Sequence, residues 1–334
     1  MERLFYSRIR LGMFDTDCPF DAISYDCVES PEHRALNLKM AEKSIVLLKN
    51  DGILPLNPAQ KVAVIGPNAN DLSVLLANYN GTPTKFTTPL AGITDAVEAA
   101  GGAVRTAKGC DPFRLTAHHP IVEAVAAAKA SDVVILVMGL NPSMEGEEGD
   151  AYNGDASGDR KTLDLPESQM KLYEAVIAQG KPTVFVNVSG SAVNLSAPAE
   201  SANALLQCFY PGAEGGRALA NILFGKTSPS GRLPVTFYRS IDDLPPFDDY
   251  SMKGRTYRFF EGEPLYPFGY GLSYANITEE WQSETEVIVT NHSDFAADHV
   301  VLCFEKNAPH ALCGFKRLRL EAGERVTVSF VKYE

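Results

Sequence analysis

Between residues 61 and 210, short apolar runs alternate with longer stretches whose apolar residues recur at helical spacing. Lys61-Val62-Ala63-Val64-Ile65-Gly66, Val133-Val134-Ile135-Leu136-Val137-Met138, Thr183-Val184-Phe185-Val186-Asn187-Val188 and Ala204-Leu205-Leu206-Gln207-Cys208-Phe209 are dense in apolar and β-branched residues. Such runs predict strands buried on both faces. Helix-like segments at 89–100, 118–130, 166–179 and 214–224 separate them. The alternation predicts an α/β fold, a layered α/β sandwich with a mainly parallel sheet. Folds of this kind bind ligands beyond the carboxyl ends of their strands.

The flanks read differently. Arg3 to Asp15 looks like the tail of a helix that ends in Leu11-Gly12-Met13-Phe14-Asp15. Ser30-Pro31-Glu32-His33 opens a long helix, with Ser30 as N-cap and Pro31 at the first position. Its apolar positions Leu36, Leu38, Ala41, Ile45 and Leu48 carry it to the turn Asn50-Asp51-Gly52. After Tyr274 the pattern turns to short strands, at 286–291, 299–304 and 325–330. About four strands fit there, against the roughly seven of a full β-sandwich.

The strand at 133–138 runs into a long loop, 139–166, that holds Glu145, Glu147, Glu148, Asp150, Asp155 and Asp159. A loop of this length inside a compact domain is usually functional or disordered. Glycines 146, 149, 154 and 158 let it turn sharply and approach a ligand closely. Crowded carboxylates raise one another's proton affinity, so that one of them can stay protonated near neutral pH. A general acid requires this.

Composition narrows the partners. The formal net charge of −12 argues against nucleic acid, which needs clustered Lys and Arg. No apolar run reaches the ~18 residues of a membrane span, and the first residues lack a signal-peptide pattern; a cytoplasmic location is the expectation. The six cysteines show no CxxC spacing, and no Cys/His grouping suggests a metal. Cys208 and Cys303 read as small core residues, Cys18 and Cys27 as a pair able to bridge, and His118-His119 as a helix start. Gly66-Pro67-Asn68-Ala69 lacks the glycine pattern of a nucleotide site, and Pro67 removes an N–H that a phosphate cradle would use. Ser189-Gly190-Ser191 lacks the nucleophile elbow of serine hydrolases.

A series of motifs then points to one family. Ser30-Pro31-Glu32-His33-Arg34, Ser44-Ile45-Val46-Leu47-Leu48-Lys49-Asn50-Asp51-Gly52, Val64-Ile65-Gly66-Pro67-Asn68-Ala69, Asn78-Tyr79-Asn80-Gly81, Tyr210-Pro211-Gly212, Ser230-Gly231-Arg232-Leu233-Pro234-Val235-Thr236-Phe237 and Tyr266-Pro267-Phe268-Gly269-Tyr270-Gly271-Leu272-Ser273-Tyr274 closely resemble glycoside hydrolase family 3, in its order. Thr87-Thr88-Pro89-Leu90 is similar to the β-xylosidase branch.

The resemblance implies a retaining β-glycosidase that acts on a β-xyloside, a β-glucoside or a β-linked oligosaccharide without metal or organic cofactor. It implies that 1–29 is a barrel-exit helix and linker, 30–275 the carboxyl-terminal α/β sandwich, and 276–334 a partial fibronectin type III-like β-sandwich. The family's acid/base carboxylate lies on the acidic loop, upstream of Asp-Arg and Leu-Pro. Here that frame is Ser143-Met144-Glu145-Gly146-Glu147, then Asp159-Arg160, then Leu165-Pro166, which puts Glu145 first and Glu147 second. The family's nucleophile motif, an Asp on the barrel, and the barrel's Lys-His pair are not found in this sequence. The chain alone is therefore expected to be inactive without a barrel domain in cis or in trans. The alternative is a non-catalytic carbohydrate-binding or scaffold module that kept the fold. Asp159 and Arg160 read either as a sugar-binding pair or as an ion pair at the loop's base, and Tyr152 as a weak candidate for stacking on a sugar ring. Tyr210, Tyr266, Phe268, Tyr270 and Tyr274 read either as a carbohydrate platform or, the better reading, as packing between the sandwich and the fibronectin-like part.

Overall fold

A computed structural model of the protein describes residues 1–116, 120–146, 160–307 and 311–331. Glu147, Tyr152, Asp159 and the His118-His119 pair lie outside them. The chain divides into two compact units, Met1–Leu36 and Asn37–Glu334. The first contains α1 (Glu2–Arg10), none of whose residues is buried, and the opening turns of α2 (Pro31–Ser44). Ser30 caps α2: its hydroxyl accepts from the His33 amide at 3.3 Å.

The second unit continues through β1 (Val46–Asn50), β2 (Lys61–Ile65), α3 (Ser73–Leu76), α4 (Pro89–Ala99), β3 (Ala103–Ala107), α5 (Ile121–Lys129), β4 (Val133–Gly139), α6 (Glu167–Ile177), β5 (Thr183–Val188), α7 (Ser196–Ser201), β6 (Ala204–Gln207) and α8 (Gly215–Leu223). These strands form one sheet in the order β1-β6-β5-β4-β2-β3. All neighbours are parallel except β1, which runs antiparallel to β6. Side chains alternate between two cores. Val134, Leu136 and Met138 face one with Tyr173 and Phe185, while Val133, Ile135 and Val137 face the other with Ile93 and Leu219. Burial on both faces is why the strands read as unbroken apolar runs.

One expectation needs correction, and one strand goes unannounced in the sequence. The helix opened by Pro31 stops at Ser44, and Ile45-Val46-Leu47-Leu48 is fully buried, with Val46 onward forming β1 on the sheet. A short apolar run fits a buried strand as well as a helix end, and tertiary pairing with β6 decides it. Strand β3 has no apolar signature because it is the sheet's far edge and largely exposed.

The order of connections positions the site. From β2 the chain crosses through α4 to β3 on one side. From β3 it passes through α5 back across β2 to β4, and then moves stepwise to β5 and β6. The direction of winding therefore reverses between β2 and β4. Parallel sheets open a crevice at such a point, beyond the carboxyl ends.

After α9 (Thr256–Phe259) come β7 (Ile277–Trp281), β8 (Glu286–Asn291), β9 (Ala297–Phe304), β10 (Leu312–Leu320) and β11 (Arg325–Ser329). They form two small antiparallel sheets, β11-β8-β7 and β10-β9, around Val287, Val289, Val301, Leu320 and Val328. The described residues thus hold five strands where the sequence suggested about four. This part is joined to the α/β layers by Asp298 on β9, whose carboxylate meets Lys43 of α2, Arg317 at 3.6 Å and Arg319 at 3.5 Å. Among the described residues, no helix is long and apolar enough to cross a membrane.

Candidate active site

The acidic loop starts from a fixed point. Gly139 ends β4 at φ 139°, and a Cβ there would lie 2.0 Å from the Val188 carbonyl oxygen, so only glycine lets β4 end this close to β5. Gln169 of α6, fully buried, brackets the same residue. Its Oε1 accepts from the Gly139 N–H at 2.9 Å, and its Nε2 donates to the Gly139 carbonyl at 2.7 Å and to the Pro112 carbonyl at 2.6 Å. Leu140 donates to the Val188 carbonyl, and its own carbonyl accepts from the buried Asn68 after β2 at 2.9 Å. The two strands that flank the reversal are therefore tied together where they end.

The next residues form a tight turn. Asn141 Oδ1 accepts from the Ser143 amide at 3.0 Å and from its hydroxyl at 2.6 Å, while the Asn141 carbonyl accepts from the amides of Met144 and Glu145. Met144 turns inward to join Leu140 in the core. Glu145 is left half-buried beside the loops that follow β5 and β6, and its carbonyl accepts from Asn78 at 3.0 Å.

A buried polar network builds the opposing surface. Asn187, Ser189 and Gln207 are all fully buried. Asn187 Nδ2 donates to Ser189 Oγ at 2.8 Å and to Gln207 Oε1; Gln207 Nε2 donates to the Ser189 carbonyl at 2.9 Å. Ser189 Oγ in turn donates to the Ser191 carbonyl at 2.8 Å. These bonds fix the short turn after β5, although the buried Asn187 Oδ1 has no hydrogen-bond partner among the described residues.

That turn presents donors to Glu145. The Gly190 amide donates to Oε2 at 2.8 Å and the Ser191 amide to Oε1 at 2.8 Å. The Ser191 hydroxyl also donates to Oε1, and the Tyr210 hydroxyl to Oε2. Each carboxylate oxygen thus receives one amide and one hydroxyl. Gly190 is required for this fit, because a Cβ there would lie 2.9 Å from the Tyr210 ring. Burial first, and the Glu145 charge second, push the Tyr210 phenol far above its ordinary range, so it stays neutral. Arg160 joins from the returning end of the loop, donating to Ser191 Oγ at 3.4 Å and to the Asp164 carbonyl at 3.0 Å.

Of the residues singled out from sequence, Glu145 and Arg160 come together through Ser191. Sequence reasoning missed Asn78, Gly190, Ser191 and Tyr210. Tyr210 is not packing between modules: it follows the carboxyl end of β6 and bonds Glu145. Its place straight after a buried strand was the available signal. The others of that aromatic group do pack. Tyr266 and Tyr270 join the core, Tyr274 donates to the Ile222 carbonyl, and Phe268 meets Phe304 of β9. Among the described residues, no group of His, Cys, Asp and Glu could hold a metal ion.

Residues 45–274 match the family model of the glycosyl hydrolase family 3 C-terminal domain. The chain belongs to glycosyl hydrolase family 3. A family relative, a β-xylosidase of Formosa agariphila, is 34% identical over 98% of this chain and 48% of its own length. A periplasmic β-glucosidase of Salmonella typhimurium is 32% identical over 90% of this chain and 45% of its own. Among solved structures, a family 3 exo-β-xylosidase in complex with a xylobiose aziridine probe superposes with a TM-score of 0.83 at 29% identity, covering 98% of this chain and 47% of that one. A β-glucosidase from Erythrobacter marinus gives 0.79 at 36% identity, covering 96% and 48%. The chain spans about half the length of the family members it matches.

Proposed function

We propose that this chain is the carboxyl-terminal portion of a retaining β-glycosidase acting on β-xylosides or β-glucosides, and that Glu145 is its general acid/base. The observation that carries the reading is the placement of Glu145: a half-buried carboxylate, fixed through its main chain and both oxygens, at the end of β4 beside the reversal of the sheet. In this reading residues 1–29 are the exit segment of a barrel domain, 30–275 the α/β sandwich and 276–334 a partial fibronectin-like end. The barrel, in cis or in trans, supplies the nucleophile.

Retaining hydrolysis then divides between the two parts. The barrel carboxylate attacks the anomeric carbon while Glu145 gives its proton to the glycosidic oxygen as that bond breaks. Glu145, now a carboxylate, takes a proton from water as the water oxygen attacks the glycosyl-enzyme, which restores both groups. General acid–base help of this kind is worth roughly 10²–10⁴-fold. Arg160 holds Ser191, and Asn78 the Glu145 main chain; neither needs to touch the sugar for the step to proceed. The reading calls for no cofactor.

The test supplies a family 3 barrel to this chain and follows aryl β-glycoside hydrolysis. Activity that is lost in Glu145→Ala, and partly restored by azide acting as a small external nucleophile, supports the reading. Full activity in that variant transfers the role to Glu147. Sugar binding without turnover, with the barrel present, favours a non-catalytic module.

A further inference from the structure

The clamp around Glu145 contains two kinds of donor. The amides of Gly190 and Ser191 can only donate. The hydroxyls of Ser191 and Tyr210 can donate or accept, because each oxygen carries lone pairs as well as a proton. An ionised Glu145 accepts from all four. A protonated Glu145 must itself donate, and only a hydroxyl can receive that bond.

The two hydroxyls are not equivalent. Ser191 Oγ already accepts from Arg160 at 3.4 Å, which orients its proton toward Glu145. Tyr210 Oη sits on the other carboxylate oxygen, on a ring held against Gly190. Phe209 before it occupies the left-handed region at φ 52°, a strained conformation for a bulky residue that turns the chain at the strand end. Resting on the assignment of Glu145 as acid/base, we propose that Tyr210 is a positioning residue that lets Glu145 gain and lose a proton without leaving its clamp. With Glu145 ionised, Tyr210 donates to Oε2. When the attacking water gives a proton to Oε2, the hydroxyl rotates and accepts from it. The tyrosine keeps its own proton throughout, consistent with its buried, neutral phenol. The reacting proton passes only between Glu145 and the substrate or water oxygen.

The measurement uses the chain itself. Selective ¹³C labelling of glutamate side chains, with the Glu145 signal assigned by its disappearance in Glu145→Gln, follows protonation directly. Amide spectra report Gly190 and Ser191 over the same pH range. In the unaltered chain, both amides are expected to remain protected and to shift smoothly as Glu145 takes up its proton. Tyr210→Phe keeps the ring and removes the switchable partner. The two amides are expected to lose protection once the carboxyl is protonated. A purely structural role for Tyr210 would instead open those amides at every pH. Amides that stay protected in Tyr210→Phe, or that open on protonation of the unaltered chain, overturn the proposal while leaving the acid/base assignment standing. Undiminished turnover by Glu145→Gln on a poor leaving group removes that assignment and the proposal with it.

Discussion

Two partly buried carboxylates in this chain are held in opposite ways. Asp298, which joins β9 to the α/β layers, is met by three cations: Lys43, Arg317 and Arg319. Burial pushes its proton affinity up, but the Lys43 hydrogen bond and the three positive charges outweigh that and hold the carboxyl below its ordinary value of 3.8. Glu145 has no cation bonded to it among the contacts described, only amides and hydroxyls. A carboxylate locked by charge serves as a fixture. One held by neutral donors, half of them reversible, retains the ability to exchange a proton. The difference separates a joint from a candidate reaction centre using the same functional group.

Substitution at each carboxylate should make the contrast visible. Glu145→Ala, assayed with a barrel supplied, is expected to lose about 10²–10⁴-fold in kcat/KM on substrates with poor leaving groups. Asp298→Ala should do the reverse. It leaves three cations facing one another without their anion and is expected to cost about 1.5–3 kcal/mol of stability by urea titration, with turnover unchanged. If Asp298→Ala depressed turnover at full stability, the division would break down. Gly190→Ala is expected to cost about 1–2 kcal/mol, since the new methyl group drives the Tyr210 ring off its seat; a crystal structure of that variant would show Tyr210 displaced from Glu145. The smallest effect is in pH. A group whose affinity for protons is lowered by folding stabilises above its unfolded value, and that contribution disappears as pH falls through its folded one. The stability difference between the protein and Asp298→Asn should therefore be constant from neutral pH down to about 4 and shrink only below 3.8. A difference that vanished near pH 6 would point to a different group.

Much of the fold was written in local pattern. The strands β2, β4, β5 and β6 are apolar on both faces, so a single window of sequence identifies them, and the loop after β4 stands out through its charge. What escaped notice depends on distance along the chain. β1 is apolar at a helix end and becomes a strand only because β6, over 150 residues later, offers an edge. β3 is an exposed edge with little to mark it. The clamp is harder still: Ser189-Gly190-Ser191 reads locally as a failed nucleophile motif and Tyr210 as packing, yet together they hold Glu145. Neither segment carries a chemical signature by itself. Their meaning arises from parallel pairing of β4 with β5 and β5 with β6, which stacks three strand ends side by side.

The bracket made by Gln169 has a consequence for how this loop can vary. It joins the last residue of β4 to the third residue of α6, so the excursion between them begins and ends at one fastened point. Closing a flexible loop costs entropy that rises only with the logarithm of its length, about 0.6 kcal/mol for each doubling. With both feet anchored, and with Met144 and Arg160 fixing the first and last steps, residues can be gained or lost in the middle at little expense to the sheet. The excursion is thus a place where the sequence can change in length while the frame that carries Glu145 stays put.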